Sequence, residues 1–334
     1  MHSVTTHISR RCRPFVASAV LVPALALLSQ TATASGREVV GAQFTQTRIT
    51  AHRAGAPASY AWPVKPFNRQ HPVRGYLNDP RPSDDRDIKS FHFGIDISAP
   101  DGTAVYAVAA GEVFLTRGRA AVAVKGATRT FGYWHIAPAV RNHQQVGLHQ
   151  LLGHVLRGER HVHLAERALR GDYLNPLRPG GIGPYIDRTP PTVASVEFLR
   201  GGQEQNALSL RGRVDVIVEA FDTTPLVVPA PWSNLPVTPA RIRWSVSHGS
   251  RRVIARRTAA AGFSRARLAP ELYDSVYAAG TAKNGHGRPG HYRFYLAHGL
   301  DASRLPAGRS VLRIEANDTR GNLVVAQVEI AKAR

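Results

Sequence analysis

Cysteine is nearly absent: the 334-residue chain has only Cys12. A lone thiol forms no internal disulfide, which excludes a disulfide-stapled scaffold and a structural zinc site built from cysteines. Cys12 also precedes the apolar run near the start, whereas a lipid-attachment cysteine would stand at its end. Lysine is scarce too. Only Lys65, Lys89, Lys125, Lys283 and Lys332 contribute to the 43 basic residues, and the rest are arginine. Sustained helical periodicity is missing, apart from a turn or two expected around Glu166–Arg170. Past residue 34 no apolar stretch reaches the roughly 20 residues that a membrane-spanning helix requires. No internal repeat or coiled-coil heptad is present.

Residues 1–34 have the pattern of a secretory signal. Arg10, Arg11 and Arg13 precede the apolar run Phe15–Leu28, and Ala32-Thr33-Ala34 offers a small-residue cleavage site. The expectation is an exported protein, in the periplasm, cell wall or extracellular space, whose mature chain has no cysteine. Formal charge is +20, falling to +17 without the three leader arginines. Such an excess in an intracellular protein would suggest nucleic acid. In an exported one it fits an anionic envelope polymer, or a soluble basic surface with no specific partner.

The strand signals predict an all-β chain. Residues 35–60 read as a loosely ordered lead-in. From 61 to 178, short β-type runs such as Gly102–Val108, Glu112–Leu115, Ala120–Lys125 and Thr130–Ile136 alternate with Gly, Pro and Asp turns. Residues 179–191 form a Pro/Gly-rich linker ending in Thr189-Pro190-Pro191. Strand candidates then follow at Val193–Leu199, Val214–Phe221, Ala240–Val246, Arg252–Ala255, Tyr292–Leu296, Val311–Ala316 and Leu323–Ile330. Seven short strands within 192–334 predict an immunoglobulin-like β-sandwich.

Three strings carry chemistry: Phe91-His92-Phe93-Gly94-Ile95-Asp96, Tyr133-Trp134-His135-Ile136 and His161-Val162-His163. His92 and Asp96 are four apart, and His161 and His163 are two apart. Even spacing on a strand places side chains on one face, so both pairs would converge on one groove. Two neutral imidazoles and a carboxylate drawn from the first and third strings make a three-ligand zinc site with an open fourth position, the catalytic arrangement. His135 is then a spare imidazole. His71, His143, His149 and His154 show no comparable spacing.

The stretch from Trp62 to about Pro179 resembles the LytM/lysostaphin-type zinc metalloendopeptidases, peptidoglycan hydrolases with a duplicated hybrid motif fold. The likeness is carried by His92-Phe93-Gly94-Ile95-Asp96, then Ala99-Pro100-Asp101-Gly102-Thr103 and Val105-Tyr106-Ala107-Val108-Ala109-Ala110-Gly111. The Tyr-x-His-Ile string and the His-x-His pair add to it. The resemblance implies an antiparallel β peptidase domain. It also implies Zn2+ on His92, Asp96 and His163, with His135 and His161 as catalytic imidazoles. The implied substrate is the peptide cross-links of peptidoglycan, with no nucleic acid as partner. Arg74–Arg81 looks like the family's strand leading into the groove, with Arg81 as a substrate contact. Family members usually carry a Ser/Thr-Gly-Pro-type segment before His-x-His, where this chain has Gly158-Glu159-Arg160. The immunoglobulin-like C-terminal domain is an addition whose role the resemblance does not imply.

In helix-based metalloproteases the glutamate of His-Glu-x-x-His takes the proton of the bound water, and that motif is absent. An imidazole with a pKa near 6.5 can do so instead. His161 is the leading base, with His135 supporting the oxyanion or the leaving amine, and the two could exchange roles. The alternative is a catalytically weak or inactive envelope-binding or scaffold protein that retains the peptidase fold, motivated by the altered turn before His161.

Overall fold

The computed structural model describes residues 39–42, 44–51, 57–82, 89–116, 120–169, 171–259 and 263–334. The expected leader lies outside the described residues. The chain is all-β with antiparallel sheets, and among the described residues the helical pieces are short turns such as Tyr273–Val276. Among the described residues no helix is long and apolar enough to cross a membrane.

The first half is built on a sheet ordered Gln145–Val146, Gly111–Leu115, Ala121–Lys125, Arg129–Trp134, His161–Ala168, Ile95–Ser98 and Val73–Gly75, with Tyr173–Leu174 paired to the histidine strand. A three-stranded sheet of Ile136–Pro138, Leu151–Val155 and Ala104–Tyr106 packs with it. Between them lie Trp62, Ile95, Ile97, Val105, Val122, Val124, Ile136 and Leu164, all at most 1% exposed. Fully burying each such side chain stabilises the fold by about 1.5–3 kcal/mol.

The second half stacks a five-stranded sheet on a four-stranded one. The first is ordered Phe44–Ile49, Leu323–Ile330, Ser310–Asn317, Arg241–His248, Arg251–Thr258. The second runs Gln203–Glu204, Thr192–Arg200, Arg213–Phe221, Arg293–Asp301. Alternation explains why they stack. Val214, Val216, Val218 and Ala220 on one sheet, and Val324, Ala326, Val328 and Ile330 on the other, are completely buried.

Two local expectations differ from the structure. Phe44–Ile49, within the stretch expected to be a loose lead-in, pairs with Leu323–Ile330 as the edge strand of the five-stranded sheet. Its ordering comes from a partner some 280 residues away, which local composition does not register. The turn of helix expected near Glu166 is strand instead, because the histidine strand runs on to Ala168. Glu166 is fully buried there, accepting hydrogen bonds from Tyr60 Oη (2.7 Å), Arg178 (2.6 Å to each oxygen) and Arg129.

The halves interlock. Phe91 belongs to the second core, packing on Phe263, Tyr273 and Tyr277 at centroid distances of 6.1, 5.4 and 5.8 Å, while Val237 belongs to the first core. Asn78 and Asp79 supply the polar part of the contact. Asn78 Nδ2 donates to Ala266 O (2.9 Å), and its Oδ1 accepts from Leu268 N (3.0 Å). Asn78 O accepts from Tyr277 Oη (2.8 Å), and Asp79 Oδ1 accepts from Thr238 N (2.9 Å). Burial raises the Asp79 pKa to about 7, against the opposing pull of Arg81.

Candidate metal centre and flanking histidines

His163 stands opposite Asp96 on one neighbouring strand and Trp134 on the other. His161, two residues earlier on the same strand, shares its face, as the spacing argument requires. His92 reaches the site differently. It follows the strand Lys89–Phe91, and a turn through Gly94 separates it from Ile95–Ser98. A Cβ at Gly94 would fall 2.4 Å from Leu164 O and 2.7 Å from His163 Nε2, so only glycine lets this turn lie on the histidine strand. A Cβ at Gly75 would meet Asp96 Oδ2 at 2.6 Å. That glycine gives the carboxylate its room.

The interface between the halves sets the His92 ring. Phe91 is anchored in the second core, His92 N donates to Asp79 O (2.9 Å), and His92 O accepts from Asn78 N (2.8 Å). His92 Nδ1 lies 2.8 Å from Tyr76 O, and a carbonyl only accepts, so Nδ1 carries the proton and Nε2 is bare.

The bare Nε2 belongs to a small triangle. It lies 2.8 Å from His163 Nδ1 and 3.1 Å from Asp96 Oδ1, and His163 Nδ1 lies 3.0 Å from the same Asp96 oxygen. His92 and His163 are 4% and 3% exposed. Burial pushes the His163 pKa down to about 4 and lowers that of His92, where the Arg81 charge adds to the effect. Burial alone would raise Asp96. The neighbouring His92 ring first, and then the hydrogen bond from His163 Nδ1, outweigh it and hold the carboxyl well below its usual range. At neutral pH the triangle is two neutral imidazoles and a carboxylate, the deprotonated set that a metal ion requires.

These residues can hold a metal ion, and their donors fit zinc. Tetrahedral zinc with bonds of about 2.0–2.2 Å sets its donors about 3.3–3.6 Å apart, so the triangle needs to open by only a few tenths of an ångström. One feature departs from the usual pattern for ligating histidines: His163 Nε2 is buried without a hydrogen-bond partner. That ring is held by packing instead, with Phe93 and Trp134 at 4.3 and 5.1 Å. Arg81 donates to Asp96 Oδ2 (3.2 Å) and lies 3.9 Å from Asp79, so it steadies the carboxylate from behind.

His161 Nε2 lies 3.7 Å from Asp96 Oδ1, and burial pushes its pKa down to about 4. Its Nδ1 has two neighbours at 2.7 Å, Glu159 O and Arg74 Nη2. An accepting carbonyl and a donating guanidinium cannot both be satisfied by one nitrogen. With the proton on Nδ1 facing Glu159 O, Nε2 is bare toward Asp96, and Arg74 turns to the same carbonyl at 3.3 Å. The His135 ring centre lies 4.3 Å from that of His161, and the residue has a left-handed backbone, φ +65°. Its Nδ1 pairs with Glu159 Oε2 at 3.0 Å.

The unusual Gly158-Glu159-Arg160 turn therefore does not displace the histidines. Asp101 braces it by accepting from Gly158 N (2.8 Å) and Arg160 N (3.0 Å), and Glu159 reaches back to His135. Sequence reasoning gave no individual role to Arg74, Tyr76 or Trp232, and read Glu159 only as a long charged side chain of the altered turn that could narrow the groove. Trp232 comes from the second half, and its ring lies under the Arg74 guanidinium at 4.4 Å. A cavity of about 140 Å³ beside Asp96 is lined by Arg74, Asp79, Arg81, Trp232, Lys283 and Asn284, so both halves wall it. A larger cavity of about 680 Å³, between Arg251–Thr258 and Arg293–Asp301, shares no residue with the triangle.

The arginines of the second half are only partly available to a partner. Arg243, Arg256 and Arg313 converge on Glu315 at 3.3, 3.2 and 3.1 Å. Arg251, Arg252 and Arg257 are exposed.

No protein-family model matches this chain, and no curated protein matches it. Solved structures similar to parts of it include a zinc-containing peptidase from Vibrio cholerae and Csd3 from Helicobacter pylori. The first is 19% identical with a TM-score of 0.30, over 39% of this chain and 45% of that one. The second is 15% identical with a TM-score of 0.30, over 43% of this chain and 45% of that one. The chain thus spans under half the length of either.

Proposed function

We propose that this protein is an exported zinc metalloendopeptidase of the LytM/lysostaphin type that hydrolyses peptide cross-links of bacterial peptidoglycan. The observation that carries the reading is the triangle of His92 Nε2, His163 Nδ1 and Asp96 Oδ1, deprotonated at neutral pH, with a further imidazole 3.7 Å from its carboxylate. The sequence resemblance supplies the substrate class.

His92, Asp96 and His163 are the ligands in this reading. Zinc bound there would polarise a scissile carbonyl and acidify a water. His161, with its proton on Nδ1 against Glu159 O, offers Nε2 as the base, and burial keeps that nitrogen unprotonated until needed. His135, paired with Glu159, is oriented to donate to the developing oxyanion or to the leaving amine. Arg81 and Tyr76 O hold Asp96 and His92 in place, and Arg74 braces His161. The paired, half-exposed His135 and intact His161 favour an active enzyme over a scaffold that has lost its chemistry.

Digestion of purified peptidoglycans tests the reading. A peptidase releases new amino termini with no new reducing sugars, and mass analysis locates the bond cut. Release of reducing ends, or no release from any wall type by zinc-loaded protein, overturns it.

A further inference from the structure

Three carboxylates are buried together where the linker meets the second half. Asp187 comes from the linker, Asp222 follows the strand Arg213–Phe221, and Asp318 follows the strand Ser310–Asn317. They are 5%, 1% and 6% exposed, and one oxygen of each lies within 4.8 Å of the others. None belongs to the metal centre described above.

The hydrogen bonds around them are nearly complete, with one exception. Asp318 Oδ1 accepts from Arg320 N and Asn322 N (2.8 Å each), and its Oδ2 accepts from Asn322 Nδ2. Asp187 Oδ1 accepts from Thr189 N (2.9 Å) and Thr189 Oγ1, and its Oδ2 accepts from Tyr185 Oη (3.1 Å). Asp222 Oδ1 accepts from Thr223 N (2.8 Å), but Asp222 Oδ2 is buried with no partner. Among the described residues, no Lys, Arg or His nitrogen forms an ion pair with any of the three. Arg320, the nearby cation, lies over the Tyr185 ring at 5.0 Å.

Its charge reaches Asp187 and Asp318 without pairing directly with either. A single charge of that kind against three buried carboxylates leaves them to share protons or a bound cation. The donor set here is oxygen only, which suits a hard cation and offers nothing to zinc beyond carboxylate. Calcium takes six to eight oxygens at about 2.3–2.6 Å, so its ligands spread up to about 5 Å apart in irregular arrangements. Magnesium demands a near-ideal octahedron and keeps several waters, a poor match to three crowded, enclosed carboxylates.

We propose that Asp187, Asp222 and Asp318 bind a hard divalent cation, calcium in preference to magnesium, which fastens the linker to the C-terminal sandwich. The free Asp222 oxygen is the ligand atom the hydrogen-bond network leaves open. Burial raises all three pKa values, that of Asp318 to about 7, and repulsion from neighbouring carboxylates adds to it at Asp222 and Asp318. At Asp187 hydrogen bonds from Thr189 and Tyr185 and the Arg320 charge oppose it. A chain of contacts runs from this site to the candidate metal centre: Tyr185 Oη lies 2.7 Å from Tyr76 Oη, and Tyr76 O accepts from His92 Nδ1. The proposal stands whether or not the protein is a peptidase.

Terbium, a luminescent calcium substitute, is excited through nearby tyrosine, and Tyr185 touches this site directly. Full-length protein in chelator-treated buffer is titrated with Tb3+, which is then displaced by Ca2+ or Mg2+. The proposal expects tyrosine-sensitised emission that Ca2+ displaces at a concentration at least about tenfold lower than Mg2+. It expects emission to survive His163→Ala, and to weaken about tenfold or more in Asp222→Asn or Asp318→Asn. Calcium should raise the thermal midpoint of the wild-type protein at pH 7.5. Absence of emission, emission lost only with His163→Ala, or a midpoint that rises on mild acidification and ignores calcium would each overturn the proposal. The last result would mean that the three acids share protons.

Discussion

Asn78 offers a sharp test of how the second half controls the metal centre. The residue is fully buried with φ +68°, and its side chain closes two bonds across the interface, to Ala266 O and from Leu268 N. Asn78→Gly removes both bonds but keeps the backbone at ease. At about 1–2 kcal/mol for each partner left wanting, the loss is about 2–4 kcal/mol. Asn78→Ala loses the same bonds and also places a Cβ in the left-handed region, which costs about 1 kcal/mol more. Alanine should therefore be the worse substitution, the reverse of the order in a helix or strand. Urea unfolding followed by tryptophan fluorescence reads the difference as a shift in midpoint at unchanged slope. Because Asn78 N also holds His92 O, both variants should bind zinc more weakly than the wild-type protein. If Asn78→Ala unfolds within about 0.5 kcal/mol of wild type, or glycine proves worse than alanine, the interface does not work as described.

His163→Ala should reduce bound zinc from about one per molecule to near zero, as read by elemental analysis, while the circular dichroism of the sheets persists. His161→Ala should keep its zinc and lose about 10²–10⁴-fold in wall hydrolysis, and loss of the metal along with activity would make His161 a ligand. In metal-free protein the unfolded chain binds protons at His161 and His163 below about 6.5, and the folded one only near 4. Stability should then rise with pH between about 4 and 6.5, by up to about 3 kcal/mol per histidine, and a flat urea midpoint across that window would contradict the burial assigned to them. Trp232→Ala frees Arg74 and opens one wall of the cavity beside Asp96, so it should change KM for wall fragments more than zinc content.

The all-β class was legible in the sequence because its signal is local. Alternation and turn residues placed the seven strands expected within 192–334 within a few residues of where they lie, since each carries its own buried face, and missed only the two-residue strand Gln203–Glu204 in that range. The histidine and aspartate strings were legible for a related reason. His-x-His fixes a shared face on one strand, and the glycine of His-x-Gly-x-Asp is demanded by the close pass over Leu164 O. The edge strand Phe44–Ile49 was not, because its neighbour is at the other end of the chain. Glu166 was misread as helical because its neighbours lack β-branched residues, and its three hydrogen-bond partners come from residues 60, 129 and 178.

The sequence by itself determined the strand pattern, the absence of cysteine chemistry and the identity of the residues able to form the triangle. Tertiary structure alone decided what orients them. Tyr76 O on His92, Arg81 on Asp96, and Arg74 and Glu159 on the two flanking imidazoles are contacts between residues without sequence periodicity. The C-terminal half had no assigned role from its strands, yet it anchors Phe91, Asn78 and Asp79 and sends Trp232 to the rim. Residue spacing reports only the face of one's own strand. The direction in which an imidazole points is set by carbonyls and charges brought from elsewhere in the chain, and only the folded arrangement contains that information.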